Sequence, residues 1–475
     1  MLYRHMLPLG TPPETLAGCE EPPIRYIAVV DGEHYPAVIG SAFRELQERG
    51  DRVLAAVLAG GHEKLPDDDL DEISGVPVLA ADDPPAVLAR AIKQYEPEAI
   101  ADLSDEPVLD YRRRHQLAAV ALFMGVAYQG ADFRFMPPPR PHLCRKPSVA
   151  IIGTGKRTGK TAVAGFVARA LAERGIPPVI VAMGRGGPEE PEVLRGDELE
   201  LQAKDLIEVA DSGRHAASDY IEDAALGRVP TVGCRRCGGG LAGGVEISNV
   251  AAGIEKANEL PGDLILLEGS GSSIPPAHAD ASILVVPASV PEEHLAGYMG
   301  PFRLLLADVA MITMCDDPHG SPSQVSSLIR DAFRDRDGSR GLPQAEIQVI
   351  HTVFRPHPTR PVDGADVFVA TTAPAHAGGS IRDHLEERYG CKVKGITHSL
   401  SDRKRLREEI EHMADRTDLL LCEIKAAAID VAARQAVDAG LDVVFMDNVP
   451  EGVGGSDPTQ AVLDVAGMAR GRSGL

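Results

Sequence analysis

The chain has 475 residues, 44% hydrophobic and 25% charged, a composition that suits two or three globular domains with a sizeable buried core. Its formal net charge is −22 and its pI about 5.1, so nucleic acid and anionic membrane surfaces, which both need a basic face, are excluded as main partners. The seven cysteines are odd in number and scattered, which points to a reducing cytoplasm, and neither a signal peptide (Met1 to Pro23) nor a membrane span of ~18 apolar residues is expected.

The first segment, 1–141, begins with a tail over 1–23. It then alternates expected strands (Arg25 to Val30, Arg52 to Leu58, Val76 to Leu79, Ala99 to Leu103) with helices (Ala37 to Arg49, Pro85 to Tyr95). Such alternation predicts a Rossmann-like parallel α/β domain. Asp31, Glu33 and His34 follow its first strand, at the strand end where ligands bind in such sheets. Arg112-Arg-Arg114 reads either as an anion contact or as a solvated helix face. The run Met136-Pro-Pro-Pro-Arg-Pro141 reads as a linker.

The second segment, 142–354, carries the strongest signal. An apolar strand, Ser148 to Ile152, runs into Gly153-Thr-Gly-Lys-Arg-Thr-Gly-Lys-Thr161, and a helix with one apolar face runs on to Arg174. This strand–loop–helix is the setting a phosphate-binding loop requires. Gly155, Lys156, Arg157, Thr158, Gly159, Lys160 and Thr161 would cradle the phosphates of ATP with backbone N–H groups and the positive end of the helix. Lys160 would bridge the β- and γ-phosphates, and Thr161 would coordinate Mg2+. The first consensus glycine is displaced: Thr154 stands in its place, with Gly153 one residue earlier. This opening, with Lys156 and Arg157, resembles dethiobiotin-synthetase-like members of the P-loop class.

Three further stretches bear on chemistry. Asp263-Leu-Ile-Leu-Leu-Glu-Gly-Ser-Gly271 is an apolar strand ending in an acid, so Glu268 would hold Mg2+ beside Thr161; the bland alternative is a strand with an ordinary turn. Arg185, between glycines in Met183-Gly-Arg-Gly-Gly-Pro188, is either a second anion contact or an exposed loop arginine. In Gly233-Cys-Arg-Arg-Cys-Gly-Gly-Gly240, Cys234 and Cys237 offer half a zinc site with no second pair, whereas Arg235 and Arg236 offer a trap for a polyanion, and a flexible surface loop is the third reading. Asp211 to His215 and Ser218 to Asp223 are polar enough to line a site. Where a GTPase would carry Asn-Lys-x-Asp, this chain has Thr313-Met-Cys-Asp316, which favours ATP over GTP.

The third segment, 355–475, reads as a smaller α/β unit with strands near Val367 to Thr371, Lys394 to Thr397, Leu419 to Ile424 and Val443 to Met446, then a weakly patterned tail with a short helix. The fold class is thus α/β: a P-loop NTPase core with a mostly parallel sheet, flanked by the N-terminal domain and this unit.

Val30-Asp-Gly-Glu-His-Tyr-Pro36, Gly60-Gly-His-Glu-Lys-Leu65, the P-loop, Met183 to Pro188, Gly233 to Gly240, Glu423-Ile-Lys-Ala-Ala-Ala-Ile-Asp430 and Asp447-Asn-Val-Pro450 together resemble the cyclic 2,3-diphosphoglycerate synthetase family. The resemblance implies a cytoplasmic homodimeric ligase that uses ATP and Mg2+ to join the two phosphates of 2,3-diphosphoglycerate, releasing ADP and phosphate. Lys160, Lys156, Arg185 and Glu268 would be its catalytic residues. Arg235, Arg236, Arg185, His34 and Glu33 would bind substrate. Two rivals stay open: a dethiobiotin-synthetase-like ligase acting on another anionic acceptor, and a nucleotide-switched metal-insertion protein using Cys234 and Cys237.

Overall fold

Aliphatic runs without polar interruption build strands that are buried on both faces, and such strands pair in parallel when helices return the chain between them. The computed structural model describes residues 22–61, 75–80, 82–198, 202–211, 219–332, 347–425 and 428–474. The first sheet contains β1 (Arg25–Val30), β2 (Arg52–Leu58), β3 (Val78–Ala80), β4 (Ala99–Asp102), β5 (Ala127–Gln129) and β6 (Arg134–Phe135) in the order β3-β2-β1-β4-β5-β6. Only the β5–β6 pair is antiparallel. The arginine run Arg112 to Arg114 opens the helix Tyr111–Phe123, where Arg112 and Arg114 make ion pairs while Arg113 is exposed and donates to the Val108 carbonyl. Arg114 Nε donates to Asp102 at 2.7 Å, and Arg112 Nη1 reaches Glu292 of the next domain at 2.6 Å.

The second sheet contains β7 (Ser148–Gly153), β8 (Pro178–Gly184), β9 (Glu192–Arg195), β10 (Pro230–Cys237), β11 (Ile247–Ser248), β12 (Leu264–Glu268), β13 (Ala281–Pro287), β14 (Val309–Thr313), β15 (Gln348–Pro358), β16 (Asp366–Ala370), β17 (Lys392–Thr397), β18 (Leu419–Glu423) and β19 (Asp442–Gly452). Its order is β11-β10-β8-β12-β7-β13-β14-β15-β19-β18-β16-β17, with β9 also on β10. The central strands β10-β8-β12-β7-β13-β14-β15 are parallel, so their C-terminal ends and the loops after them line one edge.

The C-terminal unit does not have a sheet of its own. Strand β15 pairs with β14 over Gln348 to His351 and then with antiparallel β19 over Thr352 to Pro358, which fuses the two units into one sheet. The expected boundary at 354/355 therefore falls inside a strand. The tail also departs from expectation. Residues Pro458–Arg472 form a long helix whose Ala461, Val462, Val465, Ala466 and Ala469 are buried, and it packs back against β7 and β13 under the P-loop domain. Its apolar face is mostly alanine and valine, which is why its pattern reads weakly in the sequence. Among the described residues no helix is long and apolar enough to cross a membrane.

Candidate functional site

The P-loop forms where expected. Strand β7 ends at Gly153, and the helix Lys160–Ala172 begins immediately after Gly159, whose φ of +89° is a left-handed conformation open to glycine at little cost. Lys160 is only 7% exposed, and its Nζ donates to the Gly155 carbonyl at 2.9 Å and lies 3.4 Å from Thr158 Oγ1. The ammonium thus curls back over its own loop. Burial pushes its pKa down to about 8; Glu268 and Asp219 oppose that shift, while Arg185 and Arg236 add to it. All four groups thus lie within electrostatic reach of the Lys160 ammonium. Lys156 and Arg157 lie exposed on the loop's outer turn, Arg157 at a φ of +59°. The Thr313 hydroxyl at the end of β14 donates to the Thr158 carbonyl at 2.9 Å and pins the loop from the other side.

The neighbouring strand ends supply the rest. Arg185 follows β8 and Arg236 lies near the end of β10; both guanidiniums lean over Gly271, in the loop after β12. Gly271 has a φ of +62°, and a Cβ there would stand 2.7 Å from Arg185 Nη2. Arg236 is held in place by the Ser270 carbonyl at 2.9 Å and the Gly238 carbonyl at 3.3 Å. Arg235 points away from this cluster. Its side chain is half-exposed and lies 3.9 Å from Glu189, so the two adjacent arginines diverge, as successive residues of a strand do. The segment around them is therefore a strand rather than the loop that its glycines suggest. The same alternation separates the cysteines: Cys234 is buried with its thiol pushed up to about 12, and Cys237 is exposed. The two do not converge on a common ligand position.

Beneath the arginines lies a group of buried acids. Glu268 ends β12 at 2% exposure, and the helix Asp219–Gly227 presents Asp219, Glu222 and Asp223 to it. Burial pushes Glu268 up to about 7, with the Asp219 charge adding to the shift and the neighbouring Asp223 and Thr161 side chains opposing it. No donor reaches either carboxylate oxygen of Asp223, which is 1% exposed. Burial and the adjacent Glu268 raise its pKa well above the usual carboxylate range. Glu222 is pushed up to about 8 by burial, with Lys425 opposing it across 3.3 Å. Lys425 comes from the C-terminal unit. Burial works against its charge, but Glu222 and Glu423 outweigh that and raise its pKa. Glu423 is fastened by Thr371 Oγ1 at 2.5 Å, Thr372 Oγ1 at 2.6 Å and Asn448 Nδ2 at 2.9 Å.

Glu33 and His34 are placed elsewhere. Both follow Asp31 at the C-terminal end of β1, where its fully buried carboxylate accepts from the Glu33 and His34 N–H groups at 2.9 and 3.1 Å, from His34 Nδ1 at 2.9 Å and from the Asp105 N–H at 2.6 Å. These bonds stay within the N-terminal domain. The bridge from Arg112 to Glu292, in the loop after β13, joins the C-terminal edge of that domain to the P-loop edge. Residues 62–65 of the Gly60 motif, His215 and Ser218 lie outside the described residues.

The stretch Ser218 to Asp223 is polar enough to line a site, and the structure turns its three acids, on the helix Asp219–Gly227, inward to meet Lys425 of the C-terminal unit, an orientation the sequence does not convey. Acids at i, i+3 and i+4 share one helical face, and that pattern ordinarily faces water. The available signal was their position just before the strand that carries Arg236.

Three family models match the chain: the cyclic 2,3-diphosphoglycerate synthetase N-terminal domain over residues 25–136, the P-loop domain over 148–335 and the C-terminal domain over 358–449. The chain is similar to the cyclic 2,3-diphosphoglycerate synthetase of Rubrobacter xylanophilus, 45% identical over 455 residues that cover 95% of this chain and 99% of that one. It is likewise similar to that of Methanothermus fervidus, 43% identical over 94% of this chain and 97% of that one. Among solved structures, LpxK from Aquifex aeolicus in complex with ATP aligns at 13% identity and a TM-score of 0.36, over 69% of this chain and 90% of that one. At 41–45% identity across nearly the full length of such relatives, the chain belongs to the cyclic 2,3-diphosphoglycerate synthetase family.

Proposed function

We propose that this enzyme uses ATP to close 2,3-diphosphoglycerate into its cyclic phosphoanhydride, with release of ADP and phosphate. The observation that carries the reading is the convergence of Lys160, Arg185 and Arg236 on one sheet edge, directly above the buried acids beside Thr161. Both reactants are polyanions, and preorganised cations over a water-poor floor are what their approach requires.

In this scheme one substrate phosphate oxygen attacks the γ-phosphorus of ATP, and the bond to the ADP oxygen breaks. The neighbouring phosphate of the same molecule then attacks the substrate-bound phosphorus and expels inorganic phosphate, closing the ring. Both groups sit on one carbon skeleton, so the second step gains from proximity. Lys160 leaves the Gly155 carbonyl to meet the β- and γ-phosphates, with Lys156 and Arg157 closing over them from the outer turn. Arg185 and Arg236 hold the acceptor. Arg235, Glu33 and His34 would take part only as outer contacts. Mg2+ fits the site: Thr161, Glu268 and the orphaned oxygens of Asp223 are hard oxygen donors in one place. When bound, Mg2+ would neutralise phosphate charge there. A homodimer belongs to the same proposal and is tested by light scattering in solution.

Purified protein mixed with ATP, Mg2+ and 2,3-diphosphoglycerate, followed by phosphorus NMR, tests the reading. Anhydride resonances growing in step with ADP and phosphate are expected, and Lys160→Ala should lower their rate by about 100-fold or more. ATP turnover without a new anhydride would instead favour the dethiobiotin-synthetase-like reading with another acceptor. The divergent Cys234 and Cys237 count against metal insertion.

A further inference from the structure

The C-terminal unit carries a second constellation that the reaction does not use. His357 near the end of β15, His384 on the helix Gly378–Tyr389 and Glu451 near the end of β19 come from three separate elements. One ligand atom from each lies within 4.8 Å of the other two. We propose that these residues bind a first-row transition-metal dication of the zinc class, which fastens the seam between the P-loop sheet and the C-terminal unit.

The geometry supports a metal over a simple hydrogen-bonded cluster. His357 Nε2 stands 3.4 Å from Glu451 Oε1, long for a hydrogen bond and close to the about 3.3 Å between two ligands bonded at 2.0–2.1 Å in a tetrahedron. Nε2 of His384 is buried and has no hydrogen-bond partner, although buried ring nitrogens are normally satisfied. The lone pair of a neutral imidazole with no donor to meet is a vacant ligand. The Tyr389 ring packs 5.8 Å from His357 and 5.9 Å from His384 and restricts both imidazoles. Of the nearby cations, Arg355 is committed to Asp316 at 2.8 Å and Arg388 is exposed, which weakens their repulsion of an ion. His357 and Glu451 are partly exposed, which leaves an entry path.

Donor chemistry separates this site from the cluster at Thr161. Two imidazoles and one carboxylate select zinc, cobalt or nickel, whereas the oxygen-only set beneath the P-loop suits Mg2+. The location indicates the effect. His357 and Glu451 lie on the two strands that join the units, and Phe354 of β15 packs so closely on the P-loop that a Cβ on Gly159 would stand 2.3 Å from its ring. An ion here braces the strand against which the nucleotide loop rests.

The test uses the full-length protein, stripped with a chelator and titrated with Co2+ in the absence of nucleotide. About one equivalent should produce a visible ligand-field absorption typical of low coordination, which Zn2+ abolishes and excess Mg2+ leaves unchanged. His384→Ala should remove the band, and Glu451→Gln should weaken cobalt binding by about tenfold or more, with circular dichroism verifying that both variants are folded. The wild-type melting temperature should rise with Zn2+, and that of His384→Ala should not. No band in the wild type, a band of equal affinity in both variants, or displacement by Mg2+ would each overturn the site.

Discussion

At the scale of single residues, Asp223 is the side chain whose environment most needs explaining. It is buried against Glu268 with no donor on either oxygen, so two acids must share a proton or a cation must enter. Asp223→Asn keeps the shape, removes the repulsion and supplies a donor to Glu268. Without Mg2+ the variant should melt at the same temperature as the parent or higher. In the activity assay its half-saturating Mg2+ concentration should rise about tenfold. An unchanged Mg2+ curve would remove Asp223 from the cation's surroundings. Asp31 presents the opposite balance. Burial pushes its pKa up, but hydrogen bonds from Asp105 and His34 outweigh burial and hold it below the ordinary 3.8. A depressed acid contributes stability that is present above 3.8 and lost as pH falls through the lower folded value. Asp31→Asn should therefore cost about 1–3 kcal/mol at neutral pH in urea titrations, and the gap to the parent should close on acidification.

At the scale of elements, the loop after β12 shows how backbone conformation aims charge. Gly271→Ala would force an L-residue to a φ of +62° and put a methyl 2.7 Å from Arg185 Nη2. The strain costs roughly 1–2 kcal/mol, and Arg185 must move. Steady-state kinetics should show KM for the phosphorylated acceptor raised about tenfold, while ATP binding by calorimetry stays within about twofold. Equal losses for both ligands would mean that the loop serves the nucleotide instead. The P-loop itself was legible in the sequence, because strand, glycine turn and helix are all local. The acid-bearing helix was legible only as a polar stretch able to line a site; that its acids turn inward was not, because a face of acids at helical spacing reads as solvated until the strand opposite is known.

At the scale of the molecule, the chain closes on itself. The helix Pro458–Arg472 is the last described element, yet it covers β7 and β13 beneath the P-loop. Ending the chain at Ser456 would strip its buried alanines and valines, roughly 5 kcal/mol of apolar burial and comparable to the whole stability of many domains. Such a truncation should be recovered mainly as aggregate, and any soluble fraction should melt well below the parent by calorimetry. The C-terminal unit is bound in just as firmly. Strand β15 belongs to both units, and Lys425 reaches Glu222 in the acid cluster from the far side of that seam.

Local pattern determined the α/β class, the alternation of strands and helices, the P-loop and the acid that ends β12, because each depends on residues a few positions apart and on the period of one strand or helix. Lys160, Thr161, Glu268, Arg185 and Arg236 could be named on those grounds, since the loops after parallel strands share an edge by topology. Only the tertiary structure decided that Arg235 turns away from Arg236, that Asp219, Glu222 and Asp223 face inward, and that Glu33 and His34 bond within their own domain. It also decided that one sheet runs through two units and that His357, His384 and Glu451 meet. Each of these depends on which strand lies beside which and on what burial does to a charge, and neither quantity is written in the spacing of neighbouring residues.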